Sequence, residues 1–163
     1  MSAEQRLKDL GIVLPRPRRV PANFVPGVQQ GNVLWMSGTL GTIVDEEDRD
    51  VIPKPGRVGD TITLDDAYQS ARQCAINQLS WIKLLLGSLD RVSRIIKVNG
   101  YVNAVAGYNQ GPWVVNGASD LLVEVFGREA GSHARAAVSV AGLAFDAPVE
   151  IEMVLSVRND LGN

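Results

Sequence analysis

Apolar and polar positions follow two different periods along this chain, and these periods predict its elements. Apolar residues recur at helical spacing in three stretches, residues 3–10, 63–86 and 109–126. Compact or alternating apolar patterns typical of strands occupy four others, residues 33–37, 92–105, 133–141 and 149–157. The order of these elements predicts an α+β fold in which one mixed sheet carries the two long helices on a single face.

The two long helices carry local signals of their own. Thr63 and Asp66 have the spacing of a capping box, and Gly87 supplies a C-terminal stop. The apolar stripe between them includes Cys74, so we expect a buried, unreactive thiol there. In the second helix, Gly117 costs about 1 kcal/mol relative to alanine. Either a neighbouring element approaches closely at this glycine, or the helix is weaker there than its pattern indicates.

The remaining segments favour irregular structure. Four prolines between residues 12 and 27 predict an extended, irregular path. Gly31 and Asn32 mark a turn, and the acidic stretch 44–60 is typical of a solvated loop with room for a short edge strand.

The sheet face opposite the helices must meet water or a partner. Alternation predicts that Arg135, His133 and Ala137 project there, together with Glu150 and Glu152 from the next strand. The other positions expected on this face are Trp35 or Met36, Lys97, Tyr101, Ser139, Ala141 and Val154. A half-apolar face with embedded charges fits a homo-oligomer that closes over it, and a monomer with a solvated sheet face is the alternative.

Composition excludes several classes of protein. The 163 residues suit one domain, and a net charge of −2, with one basic cluster at Arg16, Arg18 and Arg19, argues against nucleic acid as a partner. One cysteine and one histidine cannot form an intrachain disulfide or a cysteine–histidine zinc site. The apolar runs are too short to cross a membrane, and the N-terminal residues lack the core of a secretory signal. A cytoplasmic location without metal is the expectation.

Arg135 is the first candidate for chemistry. It lies among small residues, and its planar guanidinium matches a carboxylate with two parallel hydrogen bonds. It therefore serves either as an anchor for a small anionic substrate or as the partner of Glu150 or Glu152 in an internal salt bridge.

Four further positions have two interpretations each. Glu150 and Glu152 share a face, and either can hold and activate a water molecule if it lies in a cleft, or both are solvated strand residues. His133 is either an acid–base group or a hydrogen-bonded structural residue. Gly38, which follows Ser37 at the end of the first strand, either exposes backbone to a ligand or forms a plain turn. The sequence contains no nucleotide-binding glycine motif, so no nucleotide cofactor is expected.

Several segments together resemble the reactive intermediate deaminase family, the Rid or YjgF-like proteins also labelled endoribonuclease L-PSP. Residues 31–38 (GNVLWMSG) resemble its first-strand signature. Residues 134–138 (ARAAV) and 149–152 (VEIE) resemble its C-terminal signature. Residues 116–127 (NGASDLLVEVFG) resemble a longer bacterial subgroup of the same family.

This resemblance implies a chorismate-mutase-like fold and a homotrimer with ligand clefts between subunits. It implies a single domain over residues 22–158, with an N-terminal extension over 1–21 and a tail over 159–163. The implied activity is hydrolysis of enamines and imines such as 2-aminoacrylate to ketoacids and ammonia, without a cofactor. A non-catalytic module that binds small carboxylates or a partner protein is the second hypothesis. Ribonuclease activity is the third, and the net charge argues against it.

The resemblance also implies roles for individual residues. Arg135 matches the arginine that binds the substrate carboxylate, and Glu150 matches the acid that positions the hydrolytic water. Asn116 and Gly38 match cleft positions. The remaining residues expected to bind substrate are Phe24, Ser37, His133 and Ala137. Phe24 and Ala137 depart from the family pattern, which often has tyrosine and cysteine there, so the choice of substrate differs or is open.

Overall fold

The structure, a computed structural model, describes residues 1–17 and 22–158. Within them lie the helices α1 (Ala3–Asp9), α2 (Leu64–Leu86) and α3 (Gly111–Gly131). The strands are β1 (Gly27–Gln30), β2 (Val33–Met36), β3 (Thr39–Leu40), β4 (Ile43–Val44), β5 (Asp50–Val51), β6 (Val92–Asn103), β7 (Ala134–Val140) and β8 (Val149–Val157). The predicted residues Arg18 and Arg19 and the tail 159–163 lie outside the described ranges.

One mixed sheet organises the fold. Its strand order is β1-β2-β8-β6-β7, with β3 also paired to β8, and β6 and β7 are its parallel neighbours. The predicted α+β class and mixed sheet are therefore confirmed. Strand β1 was not predicted, because its three residues after Gly27 follow a run of prolines. It forms a hairpin with β2 through a two-residue loop at Gly31 and Asn32, where Gly31 has a φ of 61°.

The two long helices cover one face of this sheet. Thr63 and Asp66 form the predicted capping box at the start of α2, and Gly87 ends the helix in the left-handed conformation. Cys74 is fully buried in the core, where burial raises the pKa of its thiol, in agreement with the predicted inert cysteine.

Gly117 marks the closest approach of α2 and α3. A Cβ atom at this position would lie 2.0 Å from the carbonyl oxygen of Tyr68 in α2. The first of the two explanations for this glycine is therefore correct, since only a residue without a side chain allows the helix backbones to touch. Further along α3, Gly127 has a φ of 80° and interrupts the helical conformation where the pattern predicted its end.

The prediction that Arg135, His133 and Ala137 lie on the open face is wrong. In the β6–β7 register, Arg135 is the partner of Val98 and Ala137 that of Gly100, and both partners are buried under the helices. Ser139 follows the same alternation and donates to the carbonyl of Tyr108 rather than facing the open side. Small residues occupy both faces of β7, so alternation carried no signal there.

A second correction concerns β6. The alternation that places Val98, Gly100, Val102 and Ala104 on the core face also predicts Ile96 there, but Ile96 is 40% exposed, whereas Ile95 is fully buried. The β6–β8 register shifts between Ile95 and Lys97, and this irregularity moves the alternation by one residue. No helix within residues 1–17 and 22–158 is long and apolar enough to span a bilayer.

Candidate functional site

Arg135 is held by the N-terminal half of α3. Its Nη1 donates to Asn116 Oδ1 at 2.8 Å and to Ser119 Oγ at 3.0 Å, and its Nη2 donates to the Pro112 carbonyl at 3.1 Å. All three acceptors are uncharged. A guanidinium has five N–H donors, so two of them have no acceptor among the described residues.

Ser119 links Arg135 to His133. His133 Nδ1 lies 2.6 Å from the Gly131 carbonyl, and a carbonyl can only accept, so Nδ1 carries the proton. In the neutral ring Nε2 is then an acceptor, and it receives the Ser119 hydroxyl proton at 3.0 Å. Burial lowers the pKa of His133, which favours this neutral form. These bonds agree with the hydrogen-bonded structural interpretation, in which the histidine orients the serine that accepts from the arginine.

Arg135 forms no salt bridge among the described residues, although the Asp120 carboxylate acts on it from a greater distance and favours its charged form. The salt bridges among residues 1–17 and 22–158 do not include it, so the predicted alternative of an internal ion pair with Glu150 or Glu152 is wrong. Burial lowers the pKa of Arg135 somewhat, but an arginine side chain remains cationic in proteins. A half-buried cation with unused donors attracts an anion from outside the chain.

Glu150 lies on the other face of the sheet, against Gly38. A Cβ atom at Gly38 would sit 2.0 Å from Glu150 Oε1, so this glycine makes room for the carboxylate. Trp35 pairs with Val154, and Thr39 pairs with Ile151. The chain therefore advances four residues from β2 to β3 while β8 advances three. The extra residue forms a bulge, and Gly38 lies in it. Burial, and secondly the charge of Glu152, raise the pKa of Glu150.

Glu152 is the centre of a polar cluster on the same face. Its Oε1 accepts from Asn99 Nδ2 at 2.9 Å and from the Tyr101 hydroxyl at 2.8 Å. Tyr101 is the cross-strand partner of Glu150, so this cluster adjoins the Glu150 carboxylate. Hydrogen bonding to Glu152 raises the pKa of Tyr101, which keeps its hydroxyl protonated.

Phe24 and Ser37 belong with Gly38. All three line a cavity of about 250 Å³ at the β2–β3 end of the sheet. Ser37 donates its hydroxyl to the Val25 carbonyl at 2.6 Å, and this bond ties the segment before β1 to the end of β2.

The predicted site residues, together with the hydrogen-bond partners that the structure adds, therefore form two groups. One group, which we call the arginine half-site, comprises Asn116, Ser119, His133, Arg135 and Ala137. The other, the glutamate half-site, comprises Phe24, Ser37, Gly38, Tyr101, Glu150 and Glu152. They project from opposite faces of one sheet, so a single chain does not bring Arg135 and Glu150 together. Sequence reasoning missed Ser119, although it lies three residues after Asn116 on the same helical face.

Acidic and thiol ligands are also dispersed. Within residues 1–17 and 22–158, no three histidine, cysteine, aspartate or glutamate side chains lie close enough together to hold a metal ion.

The sheet order and the two helices on one face define an α+β protein with a chorismate-mutase-like fold. A family model described as "YjgF/chorismate_mutase-like, putative endoribonuclease" matches residues 4–149. The chain belongs to this family.

Individual proteins agree with this assignment. Protein TCP17 of Trypanosoma cruzi is 39% identical over 160 residues, which cover 94% of this chain and 92% of that one. The structure of Atu1372 from Agrobacterium tumefaciens, a protein of unknown function, is 39% identical with a TM-score of 0.82, over 95% of this chain and 91% of that one. A "putative endoribonuclease" structure from Shewanella oneidensis is 25% identical with a TM-score of 0.88, over 96% and 100%. These proteins leave the substrate open.

Proposed function

We propose that this protein hydrolyses reactive enamines or imines of 2-amino acids to 2-ketoacids and ammonia, as a homotrimer. Arg135 of one subunit binds the substrate carboxylate, and Glu150 of a neighbouring subunit positions the water. Neither an organic cofactor nor a metal takes part in this scheme.

The observation that carries this proposal is the environment of Arg135. The Asn116, Ser119 and Pro112 oxygens orient the guanidinium without neutralising it. Two N–H groups stay available for a carboxylate, which prefers two parallel hydrogen bonds. Because the donors are fixed before the ligand arrives, little side-chain entropy is lost on binding.

Glu150 supplies the second part of the chemistry. In its ionised form the carboxylate accepts a proton from water while the water oxygen bonds to the C=N carbon. That proton passes to the nitrogen as the carbinolamine forms. The hydroxyl proton then follows it to the nitrogen, the C–N bond breaks, and the ketone and ammonia leave. The step consumes one imine and one water and changes no oxidation state. An enamine first gains a proton at carbon and loses one from nitrogen, which gives the imine.

The geometry of the two half-sites supports self-assembly. Arg135 and Glu150 face opposite ways in one chain, so a complete site needs a second copy. The open face also exposes large apolar side chains, with Trp35 57%, Val28 56% and Val138 47% exposed. Val28 pairs with Trp35, so these two side chains form one exposed apolar patch that a second subunit would cover.

A binding module without catalysis is the second candidate. Ala137 offers a methyl group and Phe24 a plain ring where the family pattern often has a thiol and a phenol. If these groups take part in turnover, this chain binds small carboxylates without converting them. Ribonuclease activity is disfavoured, since a net charge of −2 opposes the approach of a polyphosphate.

The test uses 2-aminoacrylate generated in situ, with formation of pyruvate followed. We expect purified wild type to exceed the buffer blank and Arg135→Ala to lose most of the excess. Arg128→Ala, an exposed arginine elsewhere, serves as the control and keeps wild-type activity. Equal rates for wild type, Arg135→Ala and blank would exclude deamination, and ketoacid binding by that same wild type would then identify the binding module.

A further inference from the structure

The cavity beside the glutamate half-site is larger than the proposed reaction of 2-aminoacrylate requires. It encloses about 250 Å³, and it shares Phe24, Ser37 and Gly38 with the half-site. From there it extends between residues 15–17, Phe24 and Pro26 before β1, the β4–β5 hairpin and α2. The single methylene carbon of 2-aminoacrylate leaves it nearly empty.

Buried polar side chains of α2 hold the walls of this cavity. Asn77 is 9% exposed and donates to the Leu40 carbonyl at 2.8 Å and the Thr42 carbonyl at 3.0 Å. Ser80 is 4% exposed and donates its hydroxyl to the Pro15 carbonyl on the opposite wall. These residues interrupt an otherwise apolar stripe, and burial of polar groups is tolerated because each is hydrogen-bonded.

Gln78 fixes the part of the wall that adjoins Glu150. It is fully buried, and its Nε2 donates to the Ser37 carbonyl at 2.7 Å and the Ile151 carbonyl at 2.8 Å. Those carbonyls belong to the residues next to Gly38 and Glu150 in the chain. One helix therefore sets both the cavity and the carboxylate, so the cavity is preorganised relative to the reacting group.

The lining indicates what the cavity accepts. Aromatic rings, prolines and aliphatic side chains dominate it, and the apolar members are Pro15, Pro17, Phe24, Pro26, Leu40, Ile43, Val44 and Trp81. Arg16 and Asp50 bring one charge of each sign, so neither sign dominates. An uncharged hydrocarbon group matches this environment, because it gains the free energy of leaving water without losing hydrogen bonds.

We propose that this cavity is a specificity pocket for the side chain of the substrate. The preferred substrates are 2-imino acids with branched aliphatic or aromatic side chains rather than 2-aminoacrylate. This inference rests on the proposed function for its reaction, but the pocket is testable by binding alone.

The experiment compares three 2-ketoacids as product analogues: pyruvate, 4-methyl-2-oxopentanoate and phenylpyruvate. Binding to the full-length protein is measured by calorimetry. We expect wild type to bind one or both of the larger ketoacids about tenfold or more tightly than pyruvate. Equal affinity for all three, or no binding of any, would overturn the proposal.

Variants locate the effect. Val44 lines the cavity and is 43% exposed, so Val44→Trp narrows the cavity without entering the core. It should abolish the preference and leave pyruvate binding intact. Val13→Trp introduces the same ring at an 89% exposed position outside this cavity and should match wild type. Ser80→Ala, which releases Pro15, should reduce the preference as well. A preference that survives both Val44→Trp and Ser80→Ala would place the ligand elsewhere.

The same samples are assayed for ketoacid formation from 2-aminoacrylate and from the imines of leucine and phenylalanine, each generated in situ. A ketoacid preference that is lost in Val44→Trp, without deamination of any of the three substrates by any sample, would refute the reaction and keep the pocket. Deamination by wild type with no ketoacid preference would refute the pocket and keep the reaction.

Discussion

Arg135 and Glu150 project from opposite faces of one sheet, with strand β6 between the strands that carry them. No rotation of either side chain brings the two groups to one substrate within a single chain. If both groups act on the same substrate, each site must combine two subunits in a head-to-tail interface.

Subunit complementation tests this arrangement. Arg135→Ala and Glu150→Gln should each be inactive alone, because every site then lacks one group. After the two proteins are unfolded and refolded together in equal amounts, half of the arginine half-sites and half of the glutamate half-sites are intact. Random assembly then gives about a quarter of the wild-type sites.

The control for this experiment mixes the two variants without refolding, which should stay inactive if subunits exchange slowly. A double variant carrying both substitutions should never be rescued. Should the co-refolded mixture show no activity while refolded wild type does, the two residues do not share a site across an interface.

Ser119→Ala tests whether the serine positions Arg135. Its removal deletes one of three acceptors for the guanidinium, and a hydrogen bond of this kind contributes about 1 kcal/mol. We expect KM to rise by roughly three- to tenfold with kcat nearly unchanged, since carboxylate binding is affected more than the chemical step. Ser139→Ala is the matched control, because that hydroxyl bonds Tyr108 and not Arg135. Unchanged KM in Ser119→Ala would leave the serine with a purely structural role.

The sequence predicted the orientation of a strand well where large apolar side chains occupy only one of its faces. Alternation in β8 places Ile151, Met153 and Leu155 in the core, and all three are almost fully buried. In β7, alanine occupies both faces, so the side on which Arg135 projects depends on the neighbouring strand and helix rather than on local pattern.

The candidate site shows the same limit. Arg135 and Glu150 were found as chemical types at recognisable spacings, but the distance between their half-sites depends on long-range register. Gln78 and Ser80 were missed because the helical pattern of α2 treats a polar residue on its apolar stripe as an interruption. Their hydrogen bonds go to carbonyl groups far away in the sequence. Gln78 donates to a carbonyl 41 residues away, and Ser80 donates to one 65 residues away.

Gly38→Ala should damage activity more than stability. The added methyl would lie 2.0 Å from Glu150 Oε1, and the flexible carboxylate must move away. We expect kcat to fall by tenfold or more, in keeping with the cost of about 1 Å of misplacement, and the melting temperature to change little. Gly142→Ala introduces the same methyl where no atom lies within 4 Å and should behave as wild type. Full activity in Gly38→Ala would show that the position of Glu150 is not important.

Gly117→Ala should destabilise the fold. Alanine favours a helix over glycine by about 1 kcal/mol, which alone would stabilise α3. The methyl, however, would lie 2.0 Å from the Tyr68 carbonyl oxygen, and a helix backbone cannot yield as a side chain does. Overpacking of this kind costs about 1–3 kcal/mol or more, so the net effect is a loss.

Chemical denaturation monitored by circular dichroism measures that effect. Gly111→Ala in the same helix is the control, because its nearest atom, the Ala137 carbonyl oxygen, would be 3.8 Å away. A Gly117→Ala variant as stable as this control would mean that α2 and α3 can separate without cost.

The pH dependence of deamination should report on Glu150 and Glu152. Glu150 accepts a proton only when ionised, so the rate falls as pH drops through its pKa. Burial, with a smaller contribution from the charge of Glu152, raises this pKa, and the acidic limb therefore lies above the range of an ordinary glutamate. Glu152→Gln removes the like charge and keeps an oxygen that accepts from Asn99 and Tyr101. The acidic limb should therefore move to lower pH. It should not reach the range of an ordinary glutamate, because the burial of Glu150 remains.

Two controls make this shift specific. The exposed Glu129→Gln removes one negative charge away from the site and should leave the limb in place. The second control is His133→Gln, which removes another group that titrates in the acidic to neutral pH range. The pH shift caused by Glu152→Gln should persist in that background, since His133 belongs to the arginine half-site. An acidic limb that stays fixed in Glu152→Gln, or that disappears in His133→Gln, would assign the titration to a group other than Glu150 and remove the carboxylate from its role with water.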